Sequence, residues 1–417
     1  MKTIGIIAEY NPFHNGHAYQ IQKAKEQSGA DCVIVAMSGN YVQRGMPAVT
    51  DKFTRSSMAL SCGADLVFEL PTLWSVSSAE YFAKAGTALL DALGCVDTIS
   101  FGCETPDLSL FTTLADILAK EPHAYSKALA ARLKQGYSFP AAREAALRSY
   151  AAQQNIRIAE EDIAAILGSP NNILALEYIK ALRRSHSSMR PLPILRSGSG
   201  YHDTELNGRF CSAAAIRKTL ADPSASKQAL RSCVPARTAD ILFSPHTQPV
   251  TEQDFSEMLY YKLLAALPNG FSEYADSSPQ LSNRIANALT EFTDYKSFCE
   301  RLKTKEVTYT RISRLLLHIL LDLKQSDVTV GVQNGYIPYL RLLGLRRASA
   351  GLLSEIKKHT QLPLITKPSA YAPSKNSPAA LFFGQDVFAS NLYYGVLALK
   401  TGFRQKNEMQ RELAVVP

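Results

Sequence analysis

Short apolar runs alternate with helical patterns through the first hundred residues. Residues 3–9 (TIGIIAE) read as a strand and 18–27 as a helix, with Asn11-Pro12 and Asn15-Gly16 turning the chain between them. Residues 31–37 (DCVIVAM) are apolar almost throughout, which suits a parallel strand covered on both faces. A loop at Ser38-Gly39-Asn40 and a helix over 51–62 follow, and 65–70 (DLVFEL) is a third strand stopped by Pro71. A helix over 79–93 and a fourth strand over 98–101, closed by Gly102, continue the rhythm. Strand–helix alternation of this kind predicts the α/β class with a parallel sheet.

From 108 to 167 the pattern turns helical and Ala-rich, broken at 136–140, and reads as a helical insertion or a layer crossing back to the sheet. Residues 173–184 form a helix behind Ser169-Pro170, 193–196 the last strand, and 212–220 one more helix. Pro223, Pro235 and Pro245 punctuate a linker, and helical patterns dominate 250–360. The tail 361–417 mixes prolines with short apolar runs and takes no clear assignment. The organisation expected is a domain over 1–225, with a helical insertion at about 107–167, followed by a mainly α-helical basic domain over 226–417.

Composition narrows the class. A chain of 417 residues, 46% apolar and 20% charged, fits more than one ordinary core in a globular protein. It contains no apolar stretch of roughly 18 residues, so no membrane helix is expected. MKTIGIIAEY lacks a secretory pattern, and a cytoplasmic location is expected. Seven cysteines (32, 62, 95, 103, 211, 233 and 299) form no CxxC pair, which predicts reduced thiols with neither disulfides nor a zinc site. The net charge of +8 is unevenly spread: residues 296–358 hold 12 Lys+Arg against 5 Asp+Glu. A nucleic-acid footprint and a solvated basic face both account for that excess.

The chemistry is carried by His14-Asn15-Gly16-His17, which lies directly after the first strand and opens the first helix. A helix N-terminus at the carboxyl end of a parallel strand offers free N–H groups and a positive dipole to a phosphate. Histidines three apart lie on one face of the first turn and can donate to one anion, and Gly16 keeps the backbone open to a nucleotide. The reaction such a pair serves is in-line attack at the α-phosphate of ATP with pyrophosphate leaving, where charge stabilisation matters more than proton transfer. At the far end of the same domain, Ser212 is placed to cap a helix whose first turn, with Arg217, holds the outer phosphates. His14, His17 and Arg217 are thus the catalytic candidates.

The runs GIIAEYNPFHNGH, SGNYVQRGMPAVTDKFTRSSMAL, GADLVFELP, ISFGCE, SPNNILALEY and SGSGYHD, in that order, resemble the bacterial tRNA(Met) cytidine acetate ligase family. The likeness continues more thinly through YTRISRLLLHILL. It implies a Rossmann-like nucleotidyltransferase domain that makes acetyl-adenylate from ATP and acetate. The acetyl group would then pass to the wobble cytidine of elongator tRNA(Met), giving N4-acetylcytidine. Carried over by position, the ATP-binding stretch is Ile7, Ala8, Glu9, Tyr10, Asn11, Pro12, Phe13, His14, Asn15, Gly16, His17, Ala18, Tyr19 and Gln20. Gly102, Asn171 or its neighbour Asn172, and Arg196 complete it. The stretch before Arg217 reads Ser-Ala-Ala-Ala where a second hydroxyl residue is expected, which weakens the role of Ser212 more than that of Arg217.

Magnesium is expected to arrive on the ATP phosphates, with Asp51, Asp65 and Glu69 only weak candidate ligands and no protein-held metal predicted. Arg44, Lys52 and Arg55 form a second basic cluster that suits acetate, phosphate or RNA, or is simply surface charge. Tyr201-His202-Asp203 offers a His–Asp pair or a structural loop. In the basic half, Arg311, Arg314, Arg346 and Arg347 are the candidate tRNA contacts, with Lys303, Lys305, Arg341, Lys357 and Lys358 extending the charge. Tyr309, Tyr336 and Tyr339 are interleaved with them for stacking on unpaired bases. The rival enzyme reading is a small-molecule adenylyltransferase or cytidylyltransferase of the HxGH class, which leaves about 190 residues without a task. A HIGH-type aminoacyl-tRNA synthetase is disfavoured because no KMSKS sequence occurs. A non-catalytic nucleotide- or RNA-binding protein fits the two placed histidines least. None of the motifs designates a catalytic base.

Overall fold

The computed structural model describes residues 1–196, 208–222, 224, 227–244 and 247–417. Tyr201-His202-Asp203 lies outside the described residues. The strands named here are β1 (Thr3–Ala8), β2 (Cys32–Ser38), β3 (Leu66–Leu70), β4 (Thr98–Cys103), β5 (Arg190–Leu195), β6 (Leu340–Arg346), β7 (Leu364–Ile365) and β8 (Ala414–Val416). The helices that bear on the site are α1 (Asn15–Ser28), α2 (Lys52–Ser61), α3 (Ala79–Ala92), α4 (Pro170–Ser185), α5 (Ala213–Ala221), α6 (Tyr309–Leu320) and α7 (Pro378–Thr401).

Five parallel strands in the order β3-β2-β1-β4-β5 form the heart of an eight-stranded sheet. Residues 33–37 of β2 have no exposure on either face, which is why that strand is apolar without alternation. The chain leaves β1 for β2 on one side and later returns as β4 on the other. A crevice therefore opens between the carboxyl ends of β1 and β4, where an open α/β sheet binds its ligand.

The insertion is four helices, Leu108–Lys120, His123–Lys134, Phe139–Gln153 and Glu160–Gly168, whose apolar faces join α3 and α4 in one core. Strand β5 begins at Arg190, three residues before the expected start. It admits Pro191 and Pro193 because β5 is the sheet edge, where a missing N–H costs no ladder bond.

Nor is β5 the last strand. The stretch 226–417 is mostly helical as expected, but it returns to the same sheet: β6 runs antiparallel to β3, and β7 and β8 pair with β6. Residue 225 therefore does not close the sheet-forming part of the chain. A buried charge cluster fastens the junction. Lys52 Nζ lies 2.7 Å from Glu69 Oε1 and 2.9 Å from Glu408 Oε1, and Arg341 Nη2 lies 3.2 Å from the same Glu408 oxygen. Asp386 of α7 accepts from the Thr72 N–H at 2.7 Å and from the Tyr339 hydroxyl beside them. Burial pushes the Glu69 carboxyl up to about 7, against the pull of Lys52.

Candidate functional site

His14 is the N-cap of α1, in extended backbone, and its Nδ1 accepts from the Gly16 N–H at 3.1 Å. His17 reaches back, and its Nδ1 accepts from the His14 N–H at 3.2 Å. These two bonds fix the tautomers: each ring carries its proton on Nε2, so each presents one N–H donor. The imidazoles stack with centroids 3.7 Å apart. Tyr10, held at φ 48, and Phe13 pack their rings against His17 at 4.7 and 5.5 Å. Burial first, then Arg196 and Arg217, pushes His14 down to about 3. Burial, His14 and Arg196 hold His17 well below the ordinary imidazole value. Both rings are therefore neutral donors at neutral pH. Positively charged rings could not stack so closely.

The pair faces a cleft at the carboxyl ends of β1 and β4. Of the stretch from residue 7 to 20, eight residues line this cleft: Ile7, Ala8, Glu9, Tyr10, Asn11, His14, His17 and Gln20. Gly16 and Tyr19 line an adjoining hollow with Phe210 and Cys211. Pro12, Phe13, Asn15 and Ala18 line neither, and Phe13 and Asn15 are tied into the wall. Asn15 Nδ2, for example, donates to the carbonyls of Arg209 and Ser232 at 2.9 and 2.8 Å. Gly16 has a second task besides openness: a Cβ there would stand 2.9 Å from His14 Cε1 and dislodge the ring.

Gly102, Asn171, Arg196 and Arg217 also line the cleft. Asn172 does not, because it is fully buried and its side chain binds the Glu104 N–H, the Thr105 N–H and the Ala165 carbonyl. Ser212 Oγ caps α5 by accepting from the Ala215 N–H at 3.0 Å, and Arg217 Nη1 donates to the Asn11 carbonyl at 2.7 Å. The cap thus forms without the missing second hydroxyl.

A description of the HIGH nucleotidyl transferase family matches residues 1–410. The chain belongs to that family. It is 38% identical over 398 residues to a tRNA(Met) cytidine acetate ligase of Acetivibrio thermocellus, with 94% of each chain covered. It is 40% identical over 396 residues to the protein of that name from a Thermoanaerobacter species, covering 94% of this chain and 95% of that one. The structure superposes on Thermotoga maritima TmcAL at 32% identity, covering 100% of this chain and 99% of that one. The TM-score is 0.92 for its apo form and 0.90 for its complex with alpha-thio ATP. The superposition covers this whole chain, including the C-terminal strands, and the family match runs to residue 410.

Two of the three basic side chains offered either to an anion or to the surface are interior to this fold. Lys52 and Arg55 have no exposure: Lys52 belongs to the buried cluster. Arg55 donates to the carbonyls of Glu9, Ser38, Gly39 and Thr50, tying the ends of β1 and β2 together. Of that trio only Arg44 lines the cleft. Asp51 caps α2, Asp65 accepts from the Val33 N–H, and Glu69 pairs with Lys52, so these carboxylates are committed to the fold. No cluster of three metal-ligating side chains occurs among the described residues.

Two further expectations change. Cys211 and Cys233, both buried, are joined in a disulfide, and Asn15 binds the Arg209 and Ser232 carbonyls of the same two segments. The four candidate arginines do not share a surface. The backbone of Arg314, whose side chain pairs with Asp276 at 2.9 Å, packs on Gly45, the neighbour of the cleft-lining Arg44, and exposed Arg311 lies three residues earlier on the same helix. Arg346 and Arg347 lie at the other end of the sheet. Arg346 binds the carbonyl of Asp65, which precedes β3, roughly 13 Å of strand away from its carboxyl end. Arg341 and Tyr339 are buried and cannot meet RNA.

Proposed function

We propose that this chain is an ATP-dependent tRNA(Met) cytidine acetate ligase of the cytoplasm. Acetate attacks the α-phosphate of ATP, pyrophosphate leaves, and acetyl-adenylate remains bound. The acetyl group then passes to N4 of the wobble cytidine of elongator tRNA(Met), giving N4-acetylcytidine and AMP. The observation that carries this reading is the locked pair of neutral histidines at the α1 N-terminus. It lies in a cleft with Arg44, Arg196 and Arg217, in a chain whose relatives of nearly equal length bear that name.

The chain's own groups supply positioning and charge. The two Nε2–H donors meet the α-phosphate where negative charge grows, and the α1 dipole adds to them. Arg217 and Arg196 hold the remaining phosphate oxygens and the nucleotide. Gly102 and Asn171 border the nucleotide at the β4 side. Magnesium, if used, comes with the ATP phosphates, since the described lining of the cleft offers a single carboxylate, too few to hold the ion alone. Arg311 and Arg314 contact tRNA phosphates, and the pair at the far end of the sheet serves at most a separate contact.

The test is product analysis with labelled acetate and ATP in the absence of acetyl-CoA. Acetyl-adenylate and pyrophosphate are the expected products. Release of ADP, or a requirement for acetyl-CoA, overturns the reaction assigned.

A further inference from the structure

Among the described residues lining the cleft there are three arginines, two histidines and one acid, Glu9. A carboxylate opposes the binding of a triphosphate, and this one lies within electrostatic reach of Arg44 and Arg217. Its setting is specific. Glu9 follows β1, and Ile7 two residues earlier packs on Gly86 of α3. Glu9 lines the cleft with Phe82 of α3 and Tyr178 of α4, and its charge reaches Tyr178. One oxygen, Oε1, accepts from the Gln43 N–H at 3.0 Å, which fixes the carboxylate at the cleft.

The proton inventory of the cleft points to the same residue. Acyl transfer to the N4 of cytidine requires that nitrogen to lose a proton, since it is too weakly basic to keep it. Neither histidine can receive it: both Nδ1 atoms already accept backbone N–H bonds and both Nε2 atoms carry hydrogen. Arginines have no acceptor. A carboxylate both receives the N4–H₂ donor of cytosine and accepts its proton.

We propose that Glu9 is the catalytic base of the transfer step and the group that recognises the cytidine amine. In that step N4 bonds to the acetyl carbonyl carbon and the bond from that carbon to the adenylate oxygen breaks. AMP leaves with the electron pair, and the N4 proton moves to Glu9. This rests on the ligase reading above, and the experiment separates the two. Acetate-dependent ATP–pyrophosphate exchange and single-turnover transfer from bound acetyl-adenylate to tRNA(Met) are measured for wild type, Glu9→Gln and Glu9→Asp, with folding checked by thermal unfolding. For Glu9→Gln, transfer should fall by roughly 10²–10⁴, the range for loss of a general base, and by at least tenfold more than exchange falls. Glu9→Asp should recover part of the transfer rate. Wild type that exchanges pyrophosphate but acetylates no tRNA refutes the ligase reading and this inference with it. Wild type that acetylates, beside a Gln variant losing exchange and transfer equally, leaves the ligase reading standing and overturns Glu9 as the base.

Discussion

Gly16→Ala separates the chemistry of the histidine pair from the stability of the helix that carries it. Gly16 is the second residue of α1, and the added methyl would stand 2.9 Å from His14 Cε1 and 3.1 Å from Nδ1. The imidazole is the end of a movable side chain, so it gives way and the backbone stays. For stability two terms oppose each other: up to about 1 kcal/mol gained from replacing glycine in a helix, and about 1 kcal/mol lost with the His14 cap bond. The thermal midpoint should barely move. For the reaction they do not cancel, because the Nε2–H is swung off the α-phosphate. Removing one such donor costs roughly 10²–10³ in rate, or about 2.7–4 kcal/mol, and displacement should reach the lower figure. The loss should fall on kcat more than on the KM for ATP, since the bond strengthens only as charge develops. The assay is acetate-dependent ATP–pyrophosphate exchange, with His17→Ala as the reference at the full 10²–10³ loss. A folded Gly16→Ala protein exchanging within a few-fold of wild type would refute the idea that ring position matters.

The depressed imidazoles make two pH predictions. Exchange should show no inflection near pH 6.5, because both rings are already neutral there; an acid limb at that pH would contradict their assignment. The stability contributed by His14 should be fully present above about pH 6.5 and fall as pH drops toward 3, by up to about 1.4 kcal/mol per pH unit, because the unfolded chain binds the proton first, and His17 acts in the same direction. Lys52→Met leaves Glu69 and Glu408 facing each other without their lysine and should cost roughly 3–5 kcal/mol in denaturant unfolding; a loss under about 1 kcal/mol would mean that water reaches the cluster. Arg311→Ala should lower the salt slope of tRNA binding by about one unit, whereas Arg346→Ala/Arg347→Ala should leave the slope at the cleft unchanged.

The parallel strands were legible because burial on both faces writes a continuous apolar run, and the histidine motif because it sits where such a strand meets a helix. Strand β6 was not. LRLLGLR pairs with residues some 270 positions earlier, and nothing local distinguishes it from the helical apolar stretches around it. The three-residue strand β8 carries even less signal. Lys52 and Arg55 misled for a related reason, since a charged residue is ordinarily exposed. Their partners are Glu69 and Glu408 for one and backbone carbonyls for the other, none of which can be read from neighbouring letters. Asn171 and Asn172 were left as alternatives because adjacent helical residues point in different directions, and only the packed structure shows which one turns inward. Glu9 lay within the recognised stretch, but its isolation among arginines became visible only when the cleft was assembled.

The most direct test of the account is nucleoside mass analysis of tRNA after incubation with this protein, ATP and acetate. The predicted result is N4-acetylcytidine at the wobble position of elongator tRNA(Met), formed only when both ATP and acetate are present and without acetyl-CoA. Unmodified tRNA, with ATP converted to pyrophosphate and an adenylylated or cytidylylated small molecule, would contradict it.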